Sequence, residues 1–245
     1  MLTVHRGVLT GLVAQLLVLT GLAATVGLSP AGAVAGSAYG AVAVGLLARA
    51  LVRSGAPAPG PADLVTLVRS SLVGGVAALV VDAFAGPVAV GALTVLAATA
   101  LALDGVDGRV ARRTRTVSAV GARFDMEVDS VLVLLLSVHV ARSLGPWVLA
   151  LGCAHYALVV ARRAVPWLRG QVPPRYWCKV VAVVQCMALT TVATGVLPRV
   201  VAVLALVLVA ALLAESFGRE VWWLWRHRAG VGSDLEPRAV GAVHV

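Results

Sequence analysis

Eight apolar runs, each about 20 residues long, occupy most of this chain: roughly 8–28, 32–52, 68–86, 88–106, 124–143, 146–165, 178–196 and 199–218. That length is what an α-helix needs to cross the hydrocarbon core of a bilayer, where each backbone N–H and C=O must be paired inside the segment. The runs predict an all-α polytopic membrane protein of about eight spans. A charged content of 13% and a mean hydropathy of +0.96 exclude a soluble globule. The first run follows His5 and Arg6 and precedes an Ala-Gly-Ala triplet. It is longer than the apolar region of a signal peptide, about 7 to 15 residues, and reads as a span that is retained.

The net charge is +9, and 19 of the 20 basic residues are arginines placed between apolar runs. No aromatic-rich polar surface accompanies them, so nucleic acid is excluded and phosphates and anionic lipid headgroups are the expected partners. With the N-terminus inside, all basic residues but Arg142 and Arg199 fall on the cytoplasmic side, as the positive-inside rule requires of a multi-pass protein of the cell membrane. A Pro/Gly linker at 54–62 divides an N-terminal two-helix hairpin (1–53) from a six-helix core (63–228), and the polar tail 229–245 is expected to be disordered. Gly32, Gly36 and Gly40 recur every four residues, which admits a close neighbouring helix, either within the bundle or from a second copy. The stretch 221–228, VWWLWRHR, reads as an interfacial aromatic belt with snorkelling cations. Cys153, Cys178 and Cys186 lack metal spacing and read as small buried hydrophobes; His139 and His155 read as buried packing residues.

Against this background, five of only 11 acidic residues fall within 26 positions: Asp104, Asp107, Asp125, Glu127 and Asp129. Asp104 and Asp107 are three apart at the end of one predicted span, and Asp125 and Asp129 four apart at the start of the next. Each pair therefore shares a helix face. The two helices are antiparallel and closely joined, so the four carboxylates converge at the membrane surface, with Glu127 off their common face. Two unit charges about 5 Å apart repel by roughly 3 kcal/mol at an effective dielectric near 20. Either most of the group is protonated or divalent cations neutralise it, and hard oxygen ligands of this charge suit two Mg²⁺ or Mn²⁺ ions. Gly105, Gly108 and Ala111 leave room for a bulky ligand against the backbone, and Arg109, Arg112, Arg113, Arg115 and Arg123 supply cations for phosphate. Two metals beside guanidinium groups can carry out phosphoryl transfer.

Residues 104–129, DGVDGRVARRTRTVSAVGARFDMEVD, fit D-x2-D-G-x2-A-R-x8-G-x3-D-x3-D at every fixed position. This pattern resembles the signature of the CDP-alcohol phosphotransferases (CDP-alcohol phosphatidyltransferases), integral membrane enzymes of phospholipid biosynthesis. PADLVTLVRSSL (61–72) and KVVAVVQ (179–185) resemble further segments of that family, and the similarity extends over 61 to about 218. The resemblance implies that Asp104, Asp107 and Asp125 hold one metal and Asp104, Asp125 and Asp129 a second, with Asp129 also the catalytic general base. It implies a CDP site made from Asp63, Leu64, Val65, Thr66, Gly108, Ala111, Arg112, Ser118 and Gly121. The implied reaction moves a phosphatidyl-type group from CDP-diacylglycerol to a small polar alcohol and releases CMP; homodimers are common in the family.

Arg162, Arg163, Arg169, Arg175 and Lys179 fall near the cytoplasmic ends of the sixth and seventh spans, as acceptor-binding candidates or as ordinary positive-inside charge; of these Lys179, which begins an apolar helix in the segment that resembles the family's, is the one expected to point inward. Two rival readings use the same acidic cluster. An intramembrane prenyltransferase would need a second aspartate pair further along, and a cation transporter would need polar residues continuing across the bilayer. Beyond the cluster the spans return to Ala, Val and Leu, with Asp82 standing apart.

Overall fold

The computed structural model describes residues 2–54, 60–114, 118–170 and 176–227. Among them are eight α-helices and no strand: α1 (Leu2–Thr25), α2 (Pro30–Ser54), α3 (Pro61–Asp82), α4 (Val90–Thr114), α5 (Ala119–Leu144), α6 (Leu149–Ala164), α7 (Tyr176–Ala193) and α8 (Arg199–Arg226). Short 3₁₀ turns at Pro146–Val148 and Pro166–Arg169 lead into and out of α6. Positive φ at Gly27 (73°) and Gly195 (70°) turns the chain sharply after α1 and α7, a conformation that a side chain would disfavour.

Several helices extend past the apolar runs that predict them at one end or both, while α6 stays within its run. α2 continues through Ser54 and α3 starts at Pro61, a first helical position at which proline's missing N–H has no consequence. Both ends of the expected 54–62 linker are thus helical, and 55–59 and the expected disordered tail lie outside the described residues. α8 takes in most of the aromatic belt, where the Arg226 guanidinium lies 4.0 Å over the Trp222 ring.

Pro30–Arg53, Asp63–Asp82 and Arg199–Arg226 are long and apolar enough to cross a membrane, and shorter apolar stretches lie at Leu9–Thr25, Val90–Val106 and Trp177–Ala193. α5 has the length, but Asp125, Glu127, Asp129 and Arg142 interrupt its apolarity; α6 has only 16 residues. Leu17, Val34, Val200 and Leu204 are each more than 60% exposed on outward faces. Lipid accepts such faces; water does not. The protein is an all-helical polytopic membrane protein.

α3 is the central helix. It packs against α1, α2, α4 and α5, and 72% of an 18-residue apolar stretch in it is buried, against 28% in α8. The N-terminal hairpin lies directly on it. Gln15 of α1 is buried and donates through Nε2 to the Gly36 carbonyl at 3.0 Å, with Gly40 of α2 and Gly74 of α3 against the same side chain. A methyl group at Gly36 would sit 2.7 Å from Leu19 and 2.9 Å from the Gly74 carbonyl oxygen. The four-residue glycine spacing therefore serves close packing within the chain. At the other end of α3, Asp82 does not stand apart: its carboxylate accepts from the Ser29 backbone N–H at 3.1 Å and from the Ser29 hydroxyl, tying the α1–α2 turn to the end of α3. The cysteines depart from expectation too, since only Cys186 is buried; Cys153 is exposed and Cys178 intermediate.

Adding a methyl at the α2–α3 contact, Gly36→Ala, should lower stability by about 1–3 kcal/mol. Gly45→Ala, where the added atom meets nothing within 4 Å, should be neutral or up to about 1 kcal/mol stabilising. Thermal unfolding in detergent separates these outcomes; equal melting of both variants would remove the glycine contact from the forces that hold the hairpin.

Candidate active site

Arg69 lies two helical turns into α3, with 1% of its side chain exposed. A guanidinium at such a position needs compensating charge, because taking an ion out of water costs several kcal/mol. It receives that charge from two other helices. Nη1 meets Asp104 of α4 at 2.5 Å and Asp129 of α5 at 3.4 Å, while Nη2 bonds the Asp125 carboxylate and reaches the Asp125 carbonyl oxygen at 3.4 Å. Three helices are tied together at one point. The carboxylates are only partly covered, at 28%, 34% and 47% exposed for Asp104, Asp125 and Asp129, so the cluster opens to one side.

One oxygen from each of Asp104, Asp125 and Asp129 lies within 4.8 Å of the others. Opposite ligands of six-coordinate Mg²⁺ are about 4.2 Å apart, given bonds of about 2.1 Å. The spacing is close to that of one coordination sphere, and the all-oxygen donor set suits a hard divalent ion. Asp107 lies on the last turns of α4 with Gly108, Ala111 and Arg112; there the backbone is helical and the side chains lie outside the described structure.

Asp63, Leu64, Val65 and Thr66 form the first turns of α3. The buried Asp63 carboxylate accepts the Gly60 backbone N–H at 2.8 Å, capping the helix. Ser118 caps α5 in the reciprocal sense, as the N-cap residue whose hydroxyl oxygen accepts the Gly121 N–H at 2.9 Å. A Cβ at Gly121 would collide with Asp63, so the starts of α3 and α5 are in contact. The α3 and α5 segments expected to hold the nucleotide are therefore neighbours, and along α5 Gly121 lies one turn before Asp125 and two before Asp129.

Beyond Asp104 and Asp129, a cavity of about 340 Å³ continues between α5, α6, α7 and α8. His155, Lys179 and Gln185 line it. Gln185 is oriented by donating to the Leu151 carbonyl at 2.8 Å, and the buried Nε2 of His155 has no hydrogen-bond partner among the described residues. His155 thus faces the chamber rather than serving only as packing. Of the five basic candidates, Lys179 alone among the described side chains lines this cavity. Arg162 pairs with Glu220 of α8, Arg163 is exposed, only the backbone of Arg169 is described, and Arg175 lies outside the described residues.

Arg69 was not legible as a site residue, because in TLVRSS it resembles an ordinary interfacial arginine. The available signal was Pro61: a helix started there places Arg69 eight residues inside it. Glu127 points away from the cluster, into a separate groove between α2 and α5.

A family model described as CDP-alcohol phosphatidyltransferase matches residues 61–216, from the first residue of α3 into α8. No curated protein and no solved structure matches the chain.

Removing the buried guanidinium leaves three converging carboxylates without their common counter-ion. Arg69→Met should lower stability in chelator by about 3 kcal/mol, the low end of the cost of breaking a buried pair because the acids stay partly exposed. Mg²⁺ or Mn²⁺ should recover part of the loss. Thermal unfolding with and without chelator measures both effects, and unchanged melting in chelator would remove Arg69 from the support of the cluster.

Proposed function

From the premise that the chain belongs to the CDP-alcohol phosphatidyltransferase family, we propose that it transfers the phosphatidyl group of CDP-diacylglycerol to the hydroxyl of a small polar acceptor and releases CMP. Membership in the family makes it a transferase of substituted phosphate groups acting on a CDP-alcohol, and leaves no place for the prenyltransferase and transporter readings. The observation that carries the finer reading is the convergence of Asp104, Asp125 and Asp129 from two helices beside an open chamber.

In this reading Asp104, Asp107, Asp125 and Asp129 hold two divalent cations, Mg²⁺ or Mn²⁺, which when bound neutralise the pyrophosphate and stabilise the charge on departing CMP. The family's typical dependence on divalent cations supports that assignment. Asp129, the most exposed of the three described acids and one of the two that line the chamber, takes the proton of the acceptor hydroxyl. The acceptor oxygen then forms a bond to the lipid-side phosphorus, and the bond from that phosphorus to the CMP oxygen breaks. The contact between the starts of α3 and α5 supports nucleotide binding there by Asp63–Thr66, Ser118 and Gly121, with Gly108, Ala111 and Arg112 of α4 completing the site. Lys179 is the acceptor-side cation of choice because it lines the chamber; the pairing of Arg162 with Glu220 favours a role for that arginine in fixing α6 to α8. The arginine distribution supports a site that faces the cytoplasm from the cell membrane, where nucleotide and acceptor arrive from water while acyl chains stay in lipid.

Purified protein given CDP-diacylglycerol and a panel of labelled alcohols should form one lipid product and CMP. Chelator should abolish this, and Mg²⁺ or Mn²⁺ restore it; full turnover in chelator would sink the metal assignment. Asp129→Asn should reduce turnover by orders of magnitude while the protein remains folded in detergent, and near-normal turnover would reassign the base. For a phosphorylated acceptor, Lys179→Gln should raise the acceptor's KM about tenfold and change that of the CDP-lipid much less, because one charge-assisted contact is worth roughly 1.5–3 kcal/mol. Equal changes for both substrates would return Lys179 to the topology signal.

A further inference from the structure

A second cavity, of about 910 Å³, runs between α2 and α5 on the other side of α5 from the chamber. Its walls are apolar: Val42, Leu46 and Leu47 from α2 face Phe124, Val128 and Val131 from α5. Leu47, Phe124 and Val128 are buried at its floor, while Val42 and Leu46 remain 60% and 58% exposed, so the groove opens sideways toward lipid. The C-terminal end of α2 and the N-terminal end of α5 form one end of it, and there the lining turns basic. Arg49, Arg53 and Arg123 stand against a single acid, Glu127.

We propose that this groove binds an anionic phospholipid, with its phosphate on Arg49, Arg53 and Arg123 and its acyl chains along the apolar walls. The charge pattern selects this occupant. Arg49 and Arg53 are four residues apart on one helix, an arrangement in which like charges repel. Among the described residues neither they nor Arg123 form an ion pair. A bound phosphate diester relieves that repulsion, and basic pockets between transmembrane helices at the cytoplasmic face bind anionic headgroups in this way. The volume lies within the range of about 300–1,000 Å³ usual for ligand sites. A zwitterionic lipid would bring its ammonium group to the arginines, and a free phosphate would leave the apolar walls unused. α2 lies outside the family match at 61–216, so half of the groove comes from the hairpin this chain adds to the family core.

The test uses the full chain, delipidated in detergent and titrated separately with phosphatidylglycerol, phosphatidylcholine and inorganic phosphate. Native mass spectrometry reads retained lipid, and thermal melting reads stabilisation. Phosphatidylglycerol should bind at least tenfold more tightly than phosphatidylcholine, and inorganic phosphate should neither stabilise the protein nor displace the lipid. The double variant Arg49→Gln/Arg53→Gln should lose tenfold or more in affinity for phosphatidylglycerol. Leu46→Trp, which fills the groove from an exposed position while leaving the basic end intact, should do the same. A photoactivatable phosphatidylglycerol should label 42–53 and 120–131. Equal binding of phosphatidylcholine, wild-type affinity in either variant, or labelling elsewhere would overturn the site. Displacement by CDP-diacylglycerol would instead make the groove part of the donor site and overturn a separate lipid. Asp129→Asn should keep full phosphatidylglycerol affinity, so a failure of the transferase reading and a failure of this one are told apart.

Discussion

A buried cation shared by carboxylates from two other helices is the contact on which the site depends. Arg69 has almost no access to water, and its guanidinium is solvated by Asp104, Asp125 and Asp129 instead. The dependence runs both ways. Without the arginine the acids repel one another at the membrane surface; without the acids a full charge is left inside a helix bundle. Because the partners come from α3, α4 and α5, the same contact that neutralises charge also fixes how those helices meet. The carboxylates stay partly exposed, at the place where hard cations and a pyrophosphate are expected.

That contact is available only because α3 is held in the centre. Its far end is tied through Asp82 to Ser29 at the α1–α2 turn, and its middle lies against α1 and α2 through Gln15 and small residues that let the backbones approach. In lipid, where hydrophobic burial does not drive helices together, close packing and interhelical hydrogen bonds carry this association. The N-terminal hairpin, although outside the family match, is therefore part of the scaffold that positions Arg69.

α5 divides the two cavities by the faces it presents. Asp129 and Ser130 line the chamber, which continues to Lys179 and Gln185, while Arg123, Phe124, Glu127 and Val128 line the groove shared with α2. One helix thus carries the candidate catalytic acid on one face and an apolar wall with a basic end on another. Glu127, two residues from either metal-ligand candidate on the helix, is kept from the cluster by the 100° turn between successive residues.

The sequence by itself determined that the chain would be helical and membrane-embedded, because the length and apolarity of each run are local properties and lipid allows few other backbone solutions. It also determined which acids could share a face, since three- and four-residue spacings translate directly into helix geometry. It could not identify Arg69 as their partner, pair Arg162 with Glu220, or turn His155 toward the chamber. Those outcomes depend on how each helix is rotated and how near its neighbours lie, and a helix surrounded by lipid has apolar residues on nearly every face, so its pattern carries little record of which side turns inward. Only the tertiary structure decided them, by bringing α3, α4 and α5 together where one buried positive charge could be shared among three negative ones.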